Sequence, residues 1–109
     1  MHEQTHIIGT GASVATRLTS ENGSIRPELL LDILCVNTTG GVLYLQYHDG
    51  KTALAGGEVP LLSFPVQGGA GGTLGRSLNI GGGICAWSST AATYTAVGAS
   101  GSINPVLKA

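Results

Sequence analysis

The side chains able to do chemistry are few in this sequence, and their spacing sets the first limits on what it does. His48 and Asp49 supply a base and a carboxylate that could orient it. Neighbours on a strand point to opposite faces, so the two cannot meet. The pair reads instead as the polar close of a strand before Gly50. His2 and His6 share a strand face and could place two imidazoles on a metal, but no third ligand stands near them. Cys35 and Cys85 lie in the apolar runs DILCVN and GGICAW, without CxxC or Cys/His spacing. They read as small buried core residues. A disulfide between them would close a loop of about 50 residues and add several kcal/mol, and a reducing cytoplasm argues against it. No metal or cofactor is expected.

Glycine clusters offer a second kind of chemistry. Residues 68–87, GGAGGTLGRSLNIGGGICAW, contain two of them. A dinucleotide fingerprint needs GxGxxG between a strand and a helix. Here Gly69-Ala70-Gly71 runs on to Leu74 where the last glycine belongs. Gly50-Lys51-Thr52 has the ending of a phosphate-binding GxxxxGK[ST] loop, but Leu45 occupies the place of the first glycine. Gly98-Ala99-Ser100-Gly101-Ser102 is close to a GxSxG nucleophile elbow, with one glycine a place early and strands on both sides. All three stretches read as turns. Asn22-Gly23-Ser24 and Asn37-Thr38-Thr39 fit the glycosylation pattern and likewise read as turns.

The elements that would position any site are strands. No dozen residues hold apolar positions at helical spacing without Gly, Pro or β-branched interruption. Residues 29–36 alternate, with Leu29, Leu31, Ile33 and Cys35 on one face and Asp32 on a wetter one. Asn37 to Gly41 form a turn, and residues 42–48 return as the second strand of a hairpin. Leu43, Leu45 and Tyr47 face the core there; Tyr44, Gln46 and His48 face water, so replacing Gln46 should cost less than about 0.5 kcal/mol. Val59–Val66 is an extended edge segment because of Pro60 and Pro65, with Leu62, Phe64 and Val66 inward. Short strands follow over 73–80, 84–89 and the end of 90–97, and a weak last strand over 103–107 is placed at an edge by Pro105. His6-Ile7-Ile8 and Ser13–Leu18 supply two more at the start. With no helix to cover a sheet, about seven to nine short strands must bury their faces against each other. The expected fold is a single all-β domain over residues 1–109, an antiparallel β-sandwich of jelly-roll or immunoglobulin-like kind, with 1–8 as a possible N-terminal arm.

Composition narrows the partners. Charged residues make up 10% of the chain and hydrophobic residues 42%, far from the roughly 25% charged of an average domain. A chain this poor in charge tends to bury surface in an assembly. Five Lys and Arg against six Asp and Glu leave no cluster for a run of phosphates, so nucleic acid is not an expected partner. No apolar run reaches the roughly 20 residues of a membrane span, and MHEQTHIIGTG lacks the basic and apolar regions of a signal peptide. Assembly in a cytoplasm is expected. Five aromatic residues are too few for a stacking platform, which weakens a carbohydrate-binding module as the alternative.

The succession VNTTGGVLYLQYHDG, EVPLLSFPVQGG and LGRSLNIGGGICAWSSTAATYTA resembles a group of small all-β proteins from the structural regions of tailed bacteriophages. The shared features are an asparagine-led turn, an aromatic-leucine strand ending in aspartate, a proline-flanked strand ending in PV, and a Gly-Ile start to an SSTAAT run. They span residues 30–97. The resemblance implies a virion component without catalysis, foremost a capsid decoration (cement) protein bridging capsid subunits, and otherwise a neck or tail component. By analogy it implies a trimer, assembled in the host cytoplasm into the virion and contacting the major capsid protein or another virion protein. Cys35 and Cys85 depart from the pattern, which leaves open a disulfide formed once virions meet oxidising surroundings. Contacts are expected at the termini and proline-rich edges: His2, Ile7, Ile8, Leu61, Pro65, Pro105 and Leu107.

Overall fold

The computed structural model describes residues 5–7, 15–18, 28–51, 53–80 and 82–108. Within them lie nine strands and no helix: β1 (Thr5–Ile7), β2 (Ala15–Leu18), β3 (Glu28–Asn37), β4 (Leu43–Asp49), β5 (Leu62–Val66), β6 (Gly71–Thr73), β7 (Leu78–Ile80), β8 (Gly83–Ser88) and β9 (Gly101–Lys108). They form two antiparallel sheets. One runs β1-β9-β3-β6, with β7 also paired to β3; the other runs β2-β8-β4-β5.

Both β6 and β7 lie along the same edge of β3, at Leu34–Val36 and Glu28–Leu30, so they act as one interrupted strand. Counted that way, the pairs nest: β4 with β5, β3 with β6 and β7, β2 with β8, β1 with β9. The chain is one long hairpin, rolled until β3 meets β9 and β4 meets β8. That nesting is a jelly roll, one of the two sandwich kinds expected.

The expected hairpin of residues 29–48 is corrected. Its strands do not pair: β3 belongs to one sheet and β4 to the other. Residues 38–42 arch across the sandwich, held by Asn37, which is fully buried. The Asn37 Nδ2 donates to the carbonyls of Gly41 and Val66, each at 2.9 Å. Its Oδ1 accepts from the Thr39 amide at 2.9 Å and the Thr39 hydroxyl at 2.6 Å. A side-chain amide thus satisfies backbone groups that a hairpin ladder would have paired.

The inner faces meet in a core of Leu30, Ile33, Cys35, Leu45, Tyr47, Val66, Ile80, Cys85, Trp87 and Ile103. Ile33 and Cys35 point inward as their alternation requires. Leu30 is fully buried too, which unbroken alternation from Ile33 forbids. A register shift between Leu30 and Asp32 explains it: the extra residue of a bulge reverses the phase. Glycine is required where β9 begins. Gly101 has φ +140°, and a Cβ there would overlap the Val36 carbonyl.

Two further expectations need correction. The last strand is neither weak nor at an edge, because β9 spans eight residues and lies between β1 and β3. Pro105 opposes Ile33 and is fully buried. The described ladder from β9 to β1 covers Val106–Lys108. Likewise, Thr5–Ile7 of the supposed arm pair with Val106–Lys108 and belong to a sheet. By contrast β5 is an edge strand, as its prolines suggested.

Candidate functional site

The outer faces of the two sheets differ, and the difference defines the candidate sites. On the β2-β8-β4-β5 sheet, the face expected to be wet is covered. Segments 54–58 and 89–96 fold over it, and Gln46 and His48 are almost wholly buried beneath them. Ile84, Ala86 and Tyr94 form a small apolar cluster there with Leu54 against it. All six residues of β8 are buried as a result.

A polar cluster fastens this cover. The Gln46 Nε2 donates to the carbonyls of Thr90 at 2.8 Å and Thr93 at 3.0 Å, with Ala91 at 3.3 Å. Its Oε1 lies 2.9 Å from the His48 Nε2. An amide oxygen only accepts, so this ring nitrogen carries the proton. The other, Nδ1, is buried without a hydrogen-bond partner. Burial pushes the His48 imidazole below its ordinary range, while Glu58 pulls it up and Lys51 pushes it further down. The ring stands edge-on to Tyr94, with centroids 5.8 Å apart. Tyr94 in turn donates its amide to the Glu58 carbonyl at 2.8 Å and accepts from the Gly57 amide at 2.9 Å. Ser88 Oγ completes the fastening by accepting from the amides of Thr90 and Thr95.

The β1-β9-β3-β6 sheet presents the opposite case. Leu34 and Val36 project outward from the middle of β3, 38% and 43% exposed. Across the ladders they are flanked by Thr73 and Gly71 of β6 and by Asn104 and Ser102 of β9. No charged residue occupies those flanking positions. At the other sheet's β5 edge, Leu61 is 58% exposed and Pro65 is exposed as well, with Val59 nearby in the chain at 74%.

The expected contact residues therefore divide. Leu61 and Pro65 are exposed at the β5 edge. Pro105 is withdrawn, because it is buried in a central strand. Ile7 and Leu107 are placed by pairing, Ile7 against Val106 and Leu107 between His6 and Leu30. His2 and Ile8 lie outside the described residues. No family model, curated protein or solved structure matches the chain.

The remaining candidates have structural roles. Asp49 ends β4 on the face opposite His48 and accepts from the Tyr47 hydroxyl at 2.6 Å. Burial, and then this hydrogen bond to Asp49, raise the Tyr47 phenol far above its ordinary range. Ser100 is buried and donates to the Gly98 carbonyl at 2.8 Å just before β9. The clusters around Gly69 and Gly82 supply turns, with φ of +76° and +87°. Among the described residues no group of three His, Cys, Asp or Glu side chains is arranged for a metal.

Cys35 and Cys85 are buried and unpaired. Burial raises the Cys35 thiol to about 11, and its Sγ donates to the Gly72 carbonyl at 3.4 Å. Cys85 is raised further by complete burial. Thiolate is the reactive form, so neither thiol should react with a polar reagent in the native chain near neutral pH. Two free thiols should appear in denaturant for protein made in a reducing cytoplasm. A count of zero would show a disulfide instead.

Proposed function

We propose that this chain is a non-enzymatic structural protein of a tailed-bacteriophage virion, foremost a capsid decoration protein that bridges neighbouring capsid subunits in many copies. The observation that carries the reading is the uneven cover. The chain spends two of its own segments on one sheet and leaves an apolar patch, Leu34 and Val36 with Asp32 at one end of it, exposed on the other. A face of that kind suits association by burial rather than by charge. The jelly roll supports the reading by analogy alone, since viral coat proteins and lectins both use it. Against a carbohydrate-binding module stand Trp87, Tyr47 and Tyr94, all buried and unable to stack on a sugar. A trimer is the proposed oligomer, by the same analogy.

Co-sedimentation with empty capsids from the same source tests this. Intact protein should sediment with them, and moderate salt should weaken attachment only slightly, unlike phosphate-driven binding. Leu34→Lys with Val36→Lys places two charges on an exposed face. It should leave the fold intact and reduce attachment at least about tenfold, the equivalent of about 1.4 kcal/mol. Failure of the intact protein to sediment at any concentration would remove the decoration role and leave the neck or tail role to be tried. Deleting residues 1–8 is a poor test, because it removes β1 and lays bare the edge of β9.

A further inference from the structure

We infer that segment 89–96 is an acid-released flap: protonating His48 breaks the polar cluster beneath it and uncovers Ile84 and Ala86. The inference goes beyond the virion reading and stands or falls without it.

The geometry supplies a latch with one weak point. Neutral His48 donates through Nε2 to the Gln46 oxygen, and Gln46 spends its amide nitrogen on the carbonyls of Thr90 and Thr93. A proton added at Nδ1 creates a second N–H where no acceptor stands among the described residues. It also places a whole charge in a site nearly closed to water. Relief requires movement. The ladders of β4 with β5 and β8 hold the strand beneath, whereas segment 89–96 is held by side-chain bonds, a few loop bonds and a single bridge between Ser88 and Ala96. The flap is the part free to lift.

Charges near His48 do not replace the missing acceptor. Glu58 attracts a proton there and Lys51 repels it, but these two are paired to each other at 2.8 Å. Asp49 points to the other face and engages Tyr47. Tyr94 contributes a ring edge. Arg17 occupies the register position across Ile84 from His48 and adds no acceptor.

The direction with pH follows from linkage. A base held below its ordinary value of 6.5 binds its proton more tightly in the opened state than in the closed one. Closure is therefore fully stable above that value and weakens as the pH falls through it. Glu58, held below 4.5 chiefly by the Lys51 hydrogen bond, affects the chain only in stronger acid.

Amide exchange of the full chain, corrected for intrinsic rates, tests the flap. Between about pH 7.5 and 5.5, protection of the Gly57, Tyr94 and Thr95 amides should fall, by at most about tenfold, the limit for one histidine proton over that interval. The β3–β9 ladder should stay far better protected at both pH values. No loss at the three amides would overturn the inference, and so would a ladder that opens at the same rate as the flap. His48→Gln keeps an amide donor and removes the titration, so its flap should be insensitive over this range. An unchanged loss in that variant would assign the effect to His2 or His6 and refute the latch. Should the variant fail to fold, the ring titration of His48 in the native chain decides by itself. An imidazole titrating at 6.5 or above refutes the latch, and one titrating below 5.5 supports it.

Discussion

Asn37→Ala is expected to lower the free energy of unfolding by about 2–4 kcal/mol, because it strips hydrogen bonds from two carbonyls, one of them deep in the fold. Nδ2 bridges the Gly41 and Val66 carbonyls while Oδ1 holds Thr39 in the arch. The backbone of Asn37 is committed as well, donating to Ala70 and accepting from Gly69. One residue therefore ties the β3–β4 arch to the β5–β6 turn. Asn37→Asp sharpens the test. Its ionised carboxylate would set an oxygen against two carbonyl oxygens, so it should be at least as damaging as alanine at neutral pH. Part of the loss should return in acid, when the carboxyl regains a donor. Urea melts of both variants at two pH values measure this, and an aspartate variant as stable as the parent would remove Asn37 from the arch.

The second large effect contrasts two neighbours on β4. Leu45→Ala removes a fully buried core side chain and should cost about 2–5 kcal/mol. Gln46→Ala should cost about 1–3 kcal/mol, since it leaves the buried His48 Nε2 without its acceptor and takes one donor from the carbonyls of Thr90 and Thr93, which keep the hydroxyls of Ser88 and Thr90. On a plain alternating strand with one wet face, the glutamine change would have cost almost nothing. A measured loss below about 0.5 kcal/mol would return Gln46 to solvent and dissolve the cluster described here.

The contrast marks how far alternation could be read. Period-two patterning located β3, β4, β5 and β8, and it correctly turned Leu45, Tyr47 and Val66 inward, because packing one sheet on another imposes that period. The all-apolar, glycine-bounded run of β8 was legible as a strand for the same reason. Cover on the second face of β4 was not legible. It comes from threonines and Tyr94 more than forty residues away, and polar side chains look the same in sequence whether they meet water or a distant carbonyl. The arch at residues 38–42 was misread for a related reason. An Asn-led glycine turn serves a hairpin equally well, and the choice is made by Val66, a partner 29 residues away. Pro105 misled because proline at strand centres is rare. Among the candidate contact residues only Leu61 and Pro65 were located with their exposure. Leu34 and Val36 fell on the wetter face with Asp32 by alternation, but no pattern in the sequence marked them as contact residues.

The pairing of β1 with β9 also dictates when the fold can be completed. Thr5 lies opposite Lys108, so the first described strand waits for β9 to be made before it has a partner. The innermost pair of the nested hairpin, β4 with β5, closes the shortest loop. Each pair outward joins residues further apart, which raises the entropic cost of closure and slows the search. A ribosome-bound chain can thus zip from β4 and β5 outward but cannot seat β1 until β9 has emerged. Until then β1 and the edge of β3 that receives β9 stay open, and growing chains held close together on one message have unpaired strand edges to exchange.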